Sequence, residues 1–362
     1  MKDMIGESDS LTLTTAALAE VEFTIRWHCA DAAHEEHFLA RKVNPYRDFL
    51  PPGLDQALKD AVAGDSFRET YAPGKLVHGQ RPRKIAIIPL DSFKKIKLQG
   101  EPFQPHPGRF YPYRILNAHP GIRTTDTRPA FRVLDINDSS VTVDFNHPLA
   151  NCELDVTARI VRVFSKAGLG RSKLADWVAD ICEDGPGMQA RAQNQHTDFG
   201  KLQDDTRPQT TPHLDATAQR HLDTAVEALR VPDCRILDLN ELDASAPLPH
   251  GDNTIDLALC KLSFNTLADP AAVCAEVHRT LRPGGTFAIA LTTPWTPETT
   301  STPWTDLHPF ERTGYALQHL TQSGFSNCST RSYRNWMRPK NDPLFDLTWD
   351  SDHLFIITGT KA

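Results

Sequence analysis

The stretch Asp243-Ala-Ser-Ala-Pro-Leu-Pro-His-Gly-Asp-Asn-Thr-Ile-Asp-Leu-Ala-Leu-Cys260 decides the fold of the rear of this chain, together with Pro270-Ala-Ala-Val-Cys-Ala-Glu-Val-His-Arg-Thr-Leu281 and Arg282-Pro-Gly-Gly-Thr-Phe-Ala-Ile-Ala-Leu291. The first segment runs from loop through turn into an apolar run from Thr254, too short for a helix and bounded by turn residues, so it reads as a buried strand. In the second, Ala272, Val273, Glu276, Val277, Thr280 and Leu281 trace one helical face. Asp269 is placed to cap that helix and Pro270 fits its first turn, where a missing N–H costs nothing. Arg282-Pro-Gly-Gly285 then turns the chain into a second strand, Thr286–Leu291. A strand, a crossover helix, a glycine turn and a second strand make one unit of a doubly wound α/β sheet.

These residues resemble the second half of class I S-adenosylmethionine-dependent methyltransferases. That family reads D-x-x-x-L-P-x-x-D, then h-x-x-L-x-D-P, then L-(R/K)-P-G-G. The resemblance implies a Rossmann-like sheet, with Asp243 near an adenine site, Leu248 and Pro249 shaping the loop, and Phe264 near the mouth of methyl transfer. Upstream, Cys234-Arg-Ile-Leu-Asp-Leu239 looks like the family's first strand, which makes Asp238 a further cofactor-binding candidate. The D/E-x-G-x-G loop that should follow is replaced by Asn240-Glu-Leu-Asp, and the next glycine is Gly251. Only 17 residues separate Asp238 from Asp256, where two strands and two helices would need about 50–60. The expected sheet therefore lacks its first cofactor-binding half, which argues against S-adenosylmethionine as a cofactor. Thr292–Pro309, with Trp295 and Trp304, is expected to form a loop at the carboxyl end of a strand.

The front of the chain has a different texture. Val21–Trp27, Lys84–Ile88, Phe131–Ile136, Val141–Phe145 and Leu154–Val163 are short alternating runs, the pattern of half-buried strands. Between them, Leu54, Ala57, Leu58, Ala61 and Val62 fall at helical spacing, predicting an amphipathic helix of about three turns. Ala63-Gly64-Asp65 closes it and hands the chain to a strand at Ser66–Tyr71. A short helix across an antiparallel sheet is an α+β half-barrel arrangement.

Gly53-Leu54 through Gly64-Asp65-Ser66-Phe67, His78-Gly79-Gln80 and Asp144-Phe-Asn-His-Pro-Leu-Ala150 resemble FKBP-type prolyl isomerases of the SlyD branch, over about 145 residues. The resemblance implies an FKBP-like half-barrel at 18–164, with an insert-in-flap subdomain at about 91–150. It implies a pocket built from Phe23, Leu50, Leu54, Phe67, His78 and Val156, in which a twisted X-Pro amide is favoured without cofactor or metal. His78 stands where the family has a tyrosine, Val156 where it has a phenylalanine, and Pro51 offers no N–H where the family donates one. Phe93, Phe103, Phe110, Tyr111, Tyr113 and Ile115 of the insert would offer an apolar surface to proline-containing or unfolded polypeptides.

Residues 1–17 read as a loosely ordered start and 165–212 as a Gly/Pro-rich linker with one helix near Lys173–Ile181. The α/β unit then occupies 213–362. With 362 residues, 40% hydrophobic, 23% charged and a net charge of −7, the composition is globular and lacks the basic balance a nucleic-acid partner needs. No apolar run is long enough to span a membrane, and the first 20 residues lack a signal-peptide pattern, so a cytoplasmic protein is expected. Seven scattered cysteines without a C-x-x-C pair predict reduced thiols. His28, His34 and His37 lack metal-ligand spacing and are expected to face solvent.

Three functional readings follow. The first is an FKBP-type isomerase or folding chaperone carrying a methyltransferase-like domain. The second is a methyltransferase with a remade cofactor site, and the third a non-catalytic binding scaffold.

Overall fold

The rear strands and the front strands share one sheet. The structure, a computed structural model, describes residues 11–94, 97–98, 101–102, 105–108, 110–112, 130–165, 174–182, 214–241, 247–292 and 309–362. The front elements are β1 (Ala17–His28), β2 (Ala33–Val43), α1 (Leu54–Ala57) and β3 (Ser66–Tyr71). A small unit follows: β4 (Ile85–Pro89), α2 (Leu90–Lys94), β5 (Lys97–Leu98), β6 (Glu101–Pro102), β7 (Phe110–Pro112), β8 (Ala130–Ile136) and β9 (Ser140–Asp144). The chain returns through β10 (Leu154–Ser165) and α3 (Trp177–Cys182) to α4 (Ala216–Glu227), β11 (Ile236–Asp238) and β12 (Ile255–Lys261). It ends with α5 (Pro270–Thr280), β13 (Leu281–Thr292), α6 (Pro309–Gln322), β14 (Phe325–Arg334) and β15 (Leu354–Lys361).

The main sheet has nine strands in the order β11-β12-β13-β15-β14-β2-β1-β10-β3. β11, β12 and β13 are parallel, β15 runs antiparallel between β13 and β14, and β14 pairs parallel with β2 from Ser329↔Ala33 to Arg334↔Phe38. This is a mixed α/β sheet, extended at one edge by four strands, β2, β1, β10 and β3, that pair antiparallel with one another. The expected separate FKBP-like half-barrel is corrected on this point. β2 places its free edge against β14 instead of closing its own layer, because pairing there satisfies a row of N–H and C=O groups that would otherwise be an exposed edge.

Burial follows the strand period of two. On β12, Ala258 and Cys260 pack under α5 and α6, while Leu257 and Leu259 pack under α4. Both faces are covered, which is why that run is continuously apolar. On β1, Val21, Phe23, Ile25 and Trp27 join the front core, whereas Glu22 and Arg26 face the other way into ion pairs.

Asp269 caps α5, accepting from the Ala272 N–H at 2.9 Å, with Pro270 at its start. The helix expected over Leu54–Val62 is one turn, Leu54–Ala57. Asp60 adopts φ 59°, outside the helical region, and its N–H bonds the Leu13 carbonyl at 3.1 Å. The burial that suggested a longer helix is real, since Leu54, Leu58 and Ala61 all enter the front core. β2 has no counterpart among the strands expected from the alternating runs; its Glu35-Glu36-His37 run masks the alternation.

In the small unit, β4-β9-β8-β7 form a four-stranded sheet whose core includes Phe93, Tyr111, Phe131, Val133 and Val143. Phe93 and Tyr111, two of the six apolar residues read from the insert as surface or its own core, are core, fully buried there. Phe103, Tyr113, Ile115, Trp295 and Trp304 lie outside the described residues. α3, inside the region read as linker, docks through Trp177, whose indole Nε1 donates to Asp48 at 3.0 Å.

Candidate functional site

Parallel α/β sheets bind ligands at the carboxyl ends of their strands, where loops diverge. Here that place is the junction of β11 and β12. Asp238 ends β11 and its carboxylate pairs with the Lys261 ammonium at the end of β12, 2.5 Å away. The chain then enters a 3-10 turn, Leu239–Glu241. Leu239 is buried, while the Asn240 side chain bonds both backbone groups of Lys261. Its oxygen accepts from the Lys261 N–H at 2.8 Å, and its amide donates to the Lys261 carbonyl. In effect the Asn240 side chain adds one rung to a ladder that the three residues of β11 leave short.

Lys261 is followed by Leu262, held at φ 60° by an N–H donated to the Ala290 carbonyl at 2.9 Å. A non-glycine residue in the left-handed region costs about 1–2 kcal/mol, and such strain gathers at functional turns. Ser263 Oγ lies 3.3 Å from Asn240 Oδ1 and 3.4 Å from Cys260 Sγ. Burial pushes the Cys260 thiol up to about 11, so it stays protonated. Beneath this turn, Phe264 is buried and meets the rings of Tyr315 and His319 edge-on at 6.4 and 6.1 Å. His319 is 6% exposed, with neither ring nitrogen hydrogen-bonded, and burial lowers its pKa.

Of the cofactor candidates, Asp238 stands in this polar cluster. Leu248 and Phe264 belong to the core beneath α5 and α6; Leu248 is held at the later half of α5, its N–H donating to Glu276 at 3.2 Å. Asp243 lies outside the described residues. The sequence reading missed Asn240, Lys261 and Ser263. The signal for Lys261 and Ser263 was their position, polar residues directly after an apolar strand. No group of three or more His, Cys, Asp or Glu side chains among the described residues could hold a metal. No helix among them is long and apolar enough to cross a membrane.

The residues read as an isomerase pocket lie in or beside the front core. Phe23, Leu54 and Val156 are fully buried and Leu50 is 7% exposed, all within the front core. Phe67 packs against the same core from its margin, and His78 is exposed. His34 and His37, expected to face solvent, are on β2; His34 is 4% exposed and the His37 side chain 15%.

Comparison with known proteins bears on the rear of the chain. Residues 210–289 match a family model described as a methyltransferase domain. No curated protein matches the chain. Among solved structures, the chain is similar to a SAM-dependent methyltransferase of Thermotoga maritima described as a possible histamine N-methyltransferase. Identity is 15%, coverage is 40% of this chain and 89% of that one, and the TM-score is 0.28. It is also similar to an arsenic(III) S-adenosylmethionine methyltransferase of Chlamydomonas reinhardtii, at 16% identity, 32% and 40% coverage and a TM-score of 0.21. A third is phospholethanolamine N-methyltransferase 2 of Haemonchus contortus in complex with phosphomonomethylethanolamine and S-adenosylhomocysteine, at 13% identity, 31% and 35% coverage and a TM-score of 0.21. The chain thus spans less than half the length of the latter two. The methyltransferase-domain match overturns the isomerase or chaperone reading as the function of the chain. With it falls the expectation that the chain works without a cofactor and disfavours S-adenosylmethionine.

Proposed function

We propose that this chain is an S-adenosylmethionine-dependent methyltransferase whose cofactor lies at the carboxyl ends of β11 and β12. The observation that carries the reading is that the methyltransferase-domain match, residues 210–289, covers the strands that bring Asp238 and Lys261 together. The cofactor presents an adenosine with hydroxyl donors and a methionine part with a carboxylate, so a site needs an acceptor, a cation and an apolar floor. Asp238 supplies the acceptor, Lys261 the cation, and Phe264 the floor. The bound cofactor would supply the electrophilic methyl group.

The residues after β11 read Leu239-Asn240-Glu241, without the bare glycine backbone that the family pattern uses to approach the cofactor's carboxylate. Lys261 compensates in charge. With its side chain 40% exposed it can exchange Asp238 for an incoming carboxylate. Released from Lys261, Asp238 is then available as a hydrogen-bond acceptor, and Asn240 holds the turn in place through the Lys261 backbone.

The test is calorimetric titration of the full chain with S-adenosylmethionine and S-adenosylhomocysteine. Binding tighter than about 100 µM, about −5.5 kcal/mol, is expected for both. No heat with either compound at millimolar concentration would overturn the reading.

A further inference from the structure

We propose that Cys29 and Cys152 form a peroxide-responsive thiol pair at the tip of the β1–β2 hairpin, with His34 as the base that activates Cys29. Of the seven cysteines, all free, Cys29 alone is exposed. Its Sγ lies 3.1 Å from His34 Nε2. The other ring nitrogen, Nδ1, lies 2.7 Å from Thr330 Oγ1 on β14, and the ring stacks on Trp27 at 5.0 Å and 15°. His34 and Thr330 are 4% and 2% exposed. A nucleophile next to an imidazole that a third group orients is the arrangement by which proteins make a reactive thiolate.

The second thiol follows from strand register. β1 and β10 are antiparallel with Thr24↔Thr157, Ile25↔Val156 and Arg26↔Asp155. Continuing that register by three residues sets Cys29 opposite Cys152. Both positions lie on the face that carries Ile25, Trp27, Leu154 and Val156, the front core, and Cys152 packs at its margin. The spacing of about 4.5–5.5 Å at Cα within a ladder matches the span of a disulfide, so the two turns have to keep that spacing past the last paired rung for the thiols to join. The paired ladder ends at Arg26–Asp155; beyond it each cysteine sits in a turn, the Cys29 N–H donating to the Ala32 carbonyl at 3.0 Å and the Cys152 N–H to the Leu149 carbonyl at 2.9 Å. Burial raises the Cys152 thiol and the Cys29 charge raises it further, which marks Cys152 as the partner that reacts second.

The chemistry balances with a hydroperoxide as oxidant. His34 takes the Cys29 proton, and the thiolate attacks the peroxide oxygen. The O–O bond breaks, an S–O bond forms, and the leaving oxygen takes the proton back from His34, giving a sulfenic acid and water or an alcohol. Cys152 sulfur then attacks the Cys29 sulfur, forming the S–S bond, and the displaced hydroxide leaves as water with the Cys152 proton.

The test is peptide mapping by mass spectrometry after graded hydrogen peroxide, on the full chain and on C29S and C152S. The wild type should yield a Cys29–Cys152 cross-linked peptide before any other cysteine is modified. C152S should accumulate a dimedone-reactive Cys29, and C29S should yield neither. Because His34 is buried, its role is read in the folded wild type. Iodoacetamide should label Cys29 at pH 6 at least about tenfold faster than a free thiol. First oxidation at another cysteine, or a dimedone-reactive Cys29 in the wild type with no cross-link, would overturn the pair. Labelling at the free-thiol rate would remove His34 from it.

Discussion

Glu36 of β2 and Arg334 of β14 form a buried ion pair, 2.6 Å between Oε1 and the guanidinium, across the seam where the front strands join the methyltransferase-type sheet. Their side chains are 1% and 8% exposed. Burial pushes the Glu36 carboxyl up, and Arg334 and the Ser332 hydroxyl pull against it. The same guanidinium donates to the carbonyls of Asp180 and Ile181 at 3.2 Å, tying the end of α3 to the seam.

Removing one partner of such a pair leaves an uncompensated charge, at a cost of about 3–5 kcal/mol. Arg334→Met should lose stability on that scale, while the double variant Glu36→Gln/Arg334→Met should lose clearly less than the two single losses added. Denaturant unfolding should also be a single transition in the parent chain, with tryptophan fluorescence and far-UV circular dichroism coinciding. Two separated transitions would refute the coupling of front and rear.

Stability should peak in mildly acidic solution. His37 lies between two carboxylates, Nδ1 at 2.8 Å from Glu22 and Nε2 at 2.9 Å from Glu35, and stacks on Tyr333 at 4.8 Å. His221 stacks on the far side of Tyr333, and Arg26, Arg159 and Arg331 pair with the same two glutamates. Burial alone would lower the His37 pKa, but the two carboxylates raise it overall. Burial likewise works against Glu22 and Glu35, yet His37 and the arginines bring both down to about 2. A raised histidine contributes stability below its unfolded pKa of about 6.5 and loses it as pH rises through the folded value. The lowered glutamates contribute above about 4.5 and lose it as pH falls towards 2. His221, whose pKa burial lowers to about 4, contributes above about 6.5 and loses it as pH falls towards 4, so thermal melts from pH 3 to 9 should show a maximum near pH 6.5. His37→Gln should flatten the alkaline limb; an unchanged alkaline limb would exclude His37 as its source.

In the proposed cofactor site, Lys261→Met and Asp238→Ala should each weaken S-adenosylhomocysteine binding by about tenfold or more, the effect of one charged hydrogen bond. Calorimetry reads this directly. Circular dichroism serves as the control, because Asn240 holds the turn through the Lys261 backbone, which neither substitution alters. Wild-type affinity in both variants would move the site elsewhere.

The Arg282-Pro-Gly-Gly285 bulge at the start of β13 separates two roles of glycine. Gly284 has φ 78° and open space where a Cβ would stand, whereas a Cβ on Gly285 would meet the Arg282 carbonyl oxygen at 2.9 Å and the Asp256 carbonyl oxygen at 3.1 Å. Gly284→Ala should cost about 1 kcal/mol for conformation alone. Gly285→Ala should cost more, about 1–3 kcal/mol, because backbone has to shift. Equal losses in denaturant melts would contradict the steric reading.

Much of the fold was legible in local pattern, because period, capping and turn chemistry act within a few residues. Asp269-Pro270 announced α5 and the alternating runs announced β1, β8, β9 and β10, whereas the turn expected at Arg282–Gly285 is a bulge inside β13, where pairing with β12 jumps from Ile255↔Leu281 to Leu257↔Thr286. The acidic and histidine-rich β2 escaped detection, since its charged side chains are buried by partners about 300 residues away in sequence, Arg331 and Arg334. Asp238 was named from its place after a strand. Its counter-ion Lys261 was not, because pairing across parallel strands has no local signature.

What the sequence determined by itself is therefore three strands of the rear unit, β11, β12 and β13, and the capped helix α5; β14 and β15 it left unread. Tertiary structure alone decided that Phe23, Leu54 and Val156 become core rather than pocket, since burial depends on what packs opposite. It also decided that β2 and β14 join into one sheet, because an open strand edge is satisfied by whichever edge the fold brings beside it.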